Sequence, residues 1–149
     1  MISHRKRARI NREVNQALRS EGAILVRAKA AKGQLNHAQN MFIWEGIELL
    51  GCTQASKKGV RNNVLYRVIA IDEEVHLQEK GTENTLTLTF VQVASLLRLS
   101  FAQTYASVQG TEFDDTLMLH DCDNKHFTMK HLFVAISRAR SGDKIGFAK

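Results

Sequence analysis

Apolar positions recur every fourth residue near the start of the chain, at Ile10, Val14 and Leu18, inside an otherwise polar and basic stretch from Arg5 to Arg19. That spacing predicts an amphipathic helix with these three side chains on its core face. Met1-Ile2-Ser3 ahead of it reads as the end of a buried strand. Past the Ser20-Glu21-Gly22 stop signal, Ala23-Ile24-Leu25-Val26 reads as a second core strand. From Met41 the period shortens. Phe42 to Gly46, Ile47 to Gly51, Val64 to Ile71 and Val75 to Leu77 are short apolar runs divided by Gly, Asn and Lys clusters, the pattern of a small meander or barrel, with Arg61-Asn62-Asn63 as a turn between two strands. Leu86 to Phe90 alternates with threonine as a half-exposed strand does. Val91 to Leu97 suits a short helix returning the chain to the main sheet, and Leu99 to Ala102 the strand that leads into the segment beyond.

The last third holds two blocks of a different kind. In the first, the polar stretch Gln103 to Gln109 ends in Gly110-Thr111-Glu112, and Thr116 to Leu119 follows as a short buried strand. In the second, Leu132, Phe133, Val134 and Ile136 form a compact apolar segment that delivers Ser137-Arg138-Ala139-Arg140 to its end, before the turn signal Ser141-Gly142-Asp143. An arginine held at the end of a packed segment suits a planar, multiply charged anion such as phosphate. These elements predict an α/β chain in three parts: residues 1–40 begin the main domain, 41–90 form a β-rich insert, and 91–149 complete the main domain. Without any proline to mark a linker, the insert is expected to dock on its host.

Composition sharpens this picture. A length of 149 residues with 44% apolar content supports one domain with a real core, or one carrying a small insert. The net charge of +6 is uneven: residues 1–40 hold nine Lys and Arg against two acids, 41–97 five against seven, and 98–149 seven against six. Arg5, Lys6, Arg7, Arg9 and Arg12 crowd the predicted first helix, which suits a nucleic-acid backbone; the alternative is a solvated helix face. Cys52 and Cys122 form no CxxC pair and are expected to be reduced thiols. No apolar stretch has the length of a membrane span, and no apolar core follows the positive amino terminus, so the expectation is a soluble, intracellular chain without a membrane partner.

Two signals are set aside. Ile69-Ala70-Ile71-Asp72-Glu73 imitates the magnesium-binding end of a nucleotide-site strand, but no phosphate loop precedes it, and it reads better as an acidic turn between strands. His120, Cys122, His126 and His131 carry metal-ligating atoms at a spacing that matches no zinc pattern. They read as a polar loop, and no metal site is expected.

The two carboxy-terminal blocks resemble motifs V and VI of superfamily 1 helicases of the RecD-like branch. Ala102, Thr104, Gln109, Gly110, Glu112 and Phe113 match the first motif, roughly A-x-T-x-H-K-x-Q-G-x-E-F; Val134, Ala135, Ser137, Arg138 and Ala139 match the second, V-A-x-[ST]-R-A. Ala106 and Ser107 stand where the pattern has a His-Lys pair facing nucleic acid, as expected of a divergent member, such as one from a large virus or a mobile element. The resemblance implies a RecA-like (P-loop NTPase-type) second motor domain, a parallel sheet flanked by helices, with a small β-barrel-like insert. It implies that Arg138 is the arginine finger, that Gln109, Gly110 and Glu112 face the nucleotide, and that Thr104 and Ser107 contact the single strand. A helix cap is the structural alternative for Thr104, and a structural role for Arg140. Trp44, Phe42 and Tyr66 are read as core of the insert before base-stacking. With no G-x-x-x-x-G-K-[ST] string present, ATP and Mg2+ would be held mainly by an N-terminal RecA-like domain outside this chain, which alone would be inactive. The implied activity is a 5′ to 3′ helicase acting on single-stranded nucleic acid, DNA rather than RNA. The rival expectation is a stand-alone nucleic-acid-binding or regulatory module that keeps a degenerate motor fold.

Overall fold

The structure, a computed structural model, describes residues 3–28 and 39–148. It resolves into two compact units, one formed by Met1–Arg7 with Ala102–Lys149 and the other by Ala8–Phe101. The expected strand end at Met1-Ile2 lies outside the described residues. No helix among the described residues is long and apolar enough to cross a membrane.

Helix α1 spans His4–Leu18, close to the stretch that the periodicity marked. Its buried face differs from the expected one. Arg7, Asn11 and Asn15, again at four-residue spacing, are the buried side chains, whereas Leu18 is 59% exposed and Ile10 and Val14 are only half-buried. Hydrogen bonding explains the rotation. The Asn15 amide donates to Phe42 O and its carbonyl accepts from Phe42 N, both at 2.8 Å, so one side chain serves a strand edge as a neighbouring strand would. Asn11 does the same more simply, donating to Leu99 O at 3.3 Å. Arg7, expected on a nucleic-acid face, is only 3% exposed and is corrected to a buried residue.

In the Ala8–Phe101 unit, β1 (Ile24–Val26) pairs antiparallel with β2 (Met41–Ile43). Of β1 only Val26 is buried, so the expected core strand is half-exposed. A second sheet has five strands in the order β6-β5-β4-β3-β7, with β3 Glu48–Gly51, β4 Leu65–Ile71, β5 Val75–Glu79, β6 Thr85–Leu88 and β7 Leu97–Leu99. Every pairing in it is antiparallel. The barrel-like expectation is corrected here: β6 and β7 are the two edges and do not pair, so the sheet stays open. The strand expected at Leu99 to Ala102 is likewise replaced by β7, which joins this antiparallel sheet and not a parallel one.

Turn chemistry sets the register of that sheet. Asn63 adopts a left-handed φ of 61°, and Gly51 passes so close to the Arg61 carbonyl that an added Cβ would overlap it, so only glycine fits there. Asp72 closes the β4–β5 hairpin by accepting from Glu74 N at 2.9 Å, as the acidic-turn reading expected. That bond, with the His76 ring behind it, holds the Asp72 carboxyl below its usual range. Helix α2 (Phe90–Leu96) begins with a capping box in which Thr89 and Gln92 bond each other's backbone N–H. The core of the unit joins Val26, Met41, Ile43, Leu49, Val68, Leu77, Leu97 and their neighbours. Tyr66 belongs to it, fully buried, its hydroxyl accepting from Arg61 N and donating to Gly59 O.

The other unit supplies the parallel pairing. β8 (Leu117–Leu119) runs parallel to β9 (Ile145–Phe147), with α3 (Met129–Ile136) as the crossover between them. Its core is small, comprising Tyr105, Leu119 and Ala135, with Leu117, Phe127, Leu132 and Ile145 packed against them. α3 therefore buries one narrow stripe. Phe133, expected inside the compact segment, is 74% exposed.

Candidate functional site

The two carboxy-terminal blocks meet through the main chain. Phe113 N donates to Arg138 O at 2.9 Å, and Phe113 forms a parallel bridge with Ala139, so the Gly110 to Phe113 segment lies alongside the Arg138 to Arg140 segment. Further along, β8 and β9 pair parallel in a register shifted by two residues, Leu117 opposite Ile145. Glu112 and Arg138 are thereby brought to one place, and Gln109 and Gly110 lie exposed in the loop leading in. Gly110 has φ +83°, and nothing lies within 4 Å of where its Cβ would be, so it gives the loop a left-handed bend facing open space.

Arg138 sits just past the end of α3. The helix tightens there: Ser137 N reaches Phe133 O at 3.0 Å, Arg138 N reaches Ala135 O at 3.1 Å, and Ser137 itself remains helical at φ −69°, ψ −4°. The Ser137 hydroxyl donates to Val134 O at 3.0 Å and accepts from Nε and Nη2 of Arg138 at 3.3 and 3.2 Å. A neutral hydroxyl orients the guanidinium without cancelling its charge. Among the described residues no carboxylate pairs with Arg138, so an anion arriving there meets a whole positive charge.

The neighbouring arginine behaves differently. Arg140 Nε lies 2.8 Å from Asp114 Oδ1 and 3.9 Å from Glu112 Oε2, and Lys144 Nζ donates to the Asp114 carbonyl. Asp114 and Lys144 were absent from the candidates read in the sequence; an acidic run facing a basic run across two parallel segments is the signal that could have found them.

Other expected residues are placed less simply. Thr104 and Ser107 are buried and bond each other in a closed turn. Ser107 Oγ donates to Thr104 O at 2.9 Å, and the two hydroxyls lie 3.1 Å apart. Both hydroxyls are therefore engaged with each other and with the turn's own main chain, which fixes the shape of the segment. Arg5 and Arg9 are exposed one turn apart on α1, Arg9 loosely paired with Glu13 at 3.7 Å. Lys6 bonds Asp121 at 2.6 Å.

Beneath the loop, Tyr105 O–H donates to His120 O at 2.7 Å, and its ring packs edge-on against Phe127. Burial, with the Cys122 thiol and Asp121 beside it, pushes the Tyr105 phenol far above its ordinary value. Burial also lowers the pKa of His120, helped by Lys6. His131 caps α3, its Nδ1 accepting from Thr128 N at 3.1 Å. Among the described residues no three His, Cys, Asp or Glu side chains are grouped to hold a metal ion.

Residues 46–145 match the family described as the viral superfamily 1 RNA helicase core domain. Among solved structures the chain is similar to Bacteroides Pif1 bound to ssDNA, at TM-score 0.71 and 18% identity over 98% of this chain and 39% of that one. It is similar also to Pif1 helicase from Bacteroides in complex with ADP-AlF3 and ssDNA, at TM-score 0.70 and 17% identity over 99% and 39%. Unliganded Pif1 from Bacteroides sp gives TM-score 0.59 at 18% identity over 98% and 39%. A search among curated proteins found no match. The likeness establishes a RecA-like helicase fold, and the chain spans about two fifths of the length of these solved relatives.

Proposed function

Because the chain belongs to the family of the viral superfamily 1 RNA helicase core domain, we propose that it is the second motor domain of an ATP-dependent nucleic-acid helicase. In this reading Arg138 is the finger that reaches a nucleotide held by a first RecA-like domain. One observation carries it: the Phe113 N to Arg138 O bond sets Glu112 and an arginine without a carboxylate partner side by side at the end of a parallel crossover. Glu112, exposed and only acceptor in character, suits ribose hydroxyls; Gly110 lets the main chain pass close to a ligand; Gln109 lies on the same exposed loop.

The residues present fit the arginine-bearing edge of an ATP site, and ATP and Mg2+ are assigned mainly to the first domain. Bound ATP supplies the phosphoryl group that is transferred to water. Arg138 stabilises negative charge on that group in the transition state, where a preoriented cation is worth most. Arg138→Ala in the full-length protein is expected to lower ATP turnover about a thousandfold while leaving single-strand binding within about twofold. Arg138→Lys should not restore it, since the ammonium cannot reproduce the guanidinium fork. Near-normal turnover in Arg138→Ala would refute the assignment.

The nucleic-acid partner is proposed to be a single strand, contacted through Arg5, Arg9 and the Thr104 to Ser107 turn. DNA is favoured over RNA because the solved relatives include ssDNA complexes, although the family is described by its RNA helicases. A 5′ to 3′ direction is proposed on the motif resemblance. Competition between DNA and RNA oligonucleotides, and unwinding of substrates with opposite overhangs, test these two points.

A further inference from the structure

We propose that Arg140 is a positioning residue that ties the Gly110 to Asp114 loop to the Arg138 segment through Asp114 while leaving Glu112 free for the nucleotide. The inference rests on the proposed roles of Glu112 and Arg138.

The argument begins with unequal distances. Arg140 Nε is 2.8 Å from Asp114 Oδ1, a close ion pair, but 3.9 Å from Glu112 Oε2, at the far limit of one. The same cation therefore holds one carboxylate and merely attracts the other. Glu112 keeps its acceptor sites open, and its charge is steadied without being bonded. Lys144, donating to the Asp114 carbonyl, grips the same residue from the β9 side. Together with the Phe113 N to Arg138 O bond, Asp114 becomes the point at which loop, α3 terminus and β9 are joined.

All three charged side chains are about two-thirds exposed, so the tie is weak and reversible. A weak tie suits this task. The loop needs only a bias toward the bound geometry, since a ligand's apparent affinity scales with the fraction of protein in the competent arrangement. Arg138 depends less on it, because Ser137 and the helix end orient its guanidinium independently.

In the full-length protein, Arg140→Gln is expected to raise the KM for ATP and the Kd of a non-hydrolysable analogue about two- to fivefold, with kcat unchanged within about twofold. Asp114→Asn should do the same, and the swap Arg140→Asp with Asp114→Arg should restore both constants toward wild type. Matching thermal melts establish that each variant folds, and for a swap that fails to fold, the non-additivity of Arg140→Gln with Asp114→Asn gives the same test. Glu112→Gln serves as the reference. If Glu112→Gln weakens nucleotide binding and Arg140→Gln does not, the positioning role is overturned while the reading of Glu112 stands. If neither variant changes binding, the assignment of Glu112 itself falls, and the inference with it. A fall in kcat at constant KM for Arg140→Gln would also overturn the proposal, since it would make Arg140 a second finger.

Discussion

Tyr105 shows how a single side chain can anchor the segment that carries the site. Its O–H satisfies the His120 carbonyl at 2.7 Å while its ring fills the small core beside Leu119 and Ala135. Burial raises its pKa, so the folded state favours the neutral phenol. The sign follows from linkage: this stabilisation is fully present below the unfolded tyrosine value of 10.0 and is lost as pH rises above it. Tyr105→Phe is expected to cost about 1 kcal/mol at neutral pH and to remove most of the additional loss seen at about pH 11. Urea titrations of both proteins at the two pH values measure this; an equal alkaline loss in both would show that another group governs it. Arg5, Arg7 and Arg9 make a similar point about charge. They are equivalent in sequence, yet Arg7 is buried and the other two are exposed.

At the level of elements, hydrogen-bond demand outweighs hydrophobic period in orienting α1. The expected face of Ile10, Val14 and Leu18 would leave the edges of β2 and β7 with unpaired main-chain groups. Turning Asn11 and Asn15 inward satisfies them, and an unsatisfied buried group costs more than a half-exposed aliphatic one gains. Asn15→Ala is therefore expected to destabilise by about 1–3 kcal/mol, because both the N–H and C=O of Phe42 lose their partner. Leu18→Ala should change little, about 0.5 kcal/mol. Chemical denaturation compares the two, and a larger loss from Leu18→Ala would contradict this account of the helix. By contrast, α2 follows its local sequence, since Thr89 and Gln92 form a capping box from within one turn.

For the whole molecule, charge distribution bears on nucleic-acid binding. The chain carries +6, concentrated near its amino end, so the proposed binding to a single strand is expected to weaken steeply with salt. Replacing both Arg5 and Arg9 by alanine is expected to lower the slope of log affinity against log salt by about one to two, with melting unchanged. Arg7→Ala should instead lower stability and leave the slope nearly intact. Fluorescence titration at several salt concentrations distinguishes these outcomes. A slope insensitive to Arg5 and Arg9 would place the contact elsewhere.

How much of this was legible beforehand depended on the range of the interactions involved. Local signals succeeded: the helix over His4–Leu18 and the acidic turn at Asp72 depend on neighbours within a few residues, whereas the strand at Leu117–Leu119 and the segment before Arg138 form but leave Met118 and Phe133 exposed. The motif residues named the fold because their order and spacing are a property of the chain alone, and the RecA-like likeness agrees with that reading. Long-range pairing was not readable. That β6 and β7 remain open edges, that β7 joins β3, that Arg7 turns inward, and that Asp114 meets Arg140 are outcomes of which surfaces come together. Sequence fixes what each segment can offer, a period, a charge or a cap; only tertiary packing decides which backbone groups need a partner and which charge finds one, because those energies belong to pairs distant along the chain.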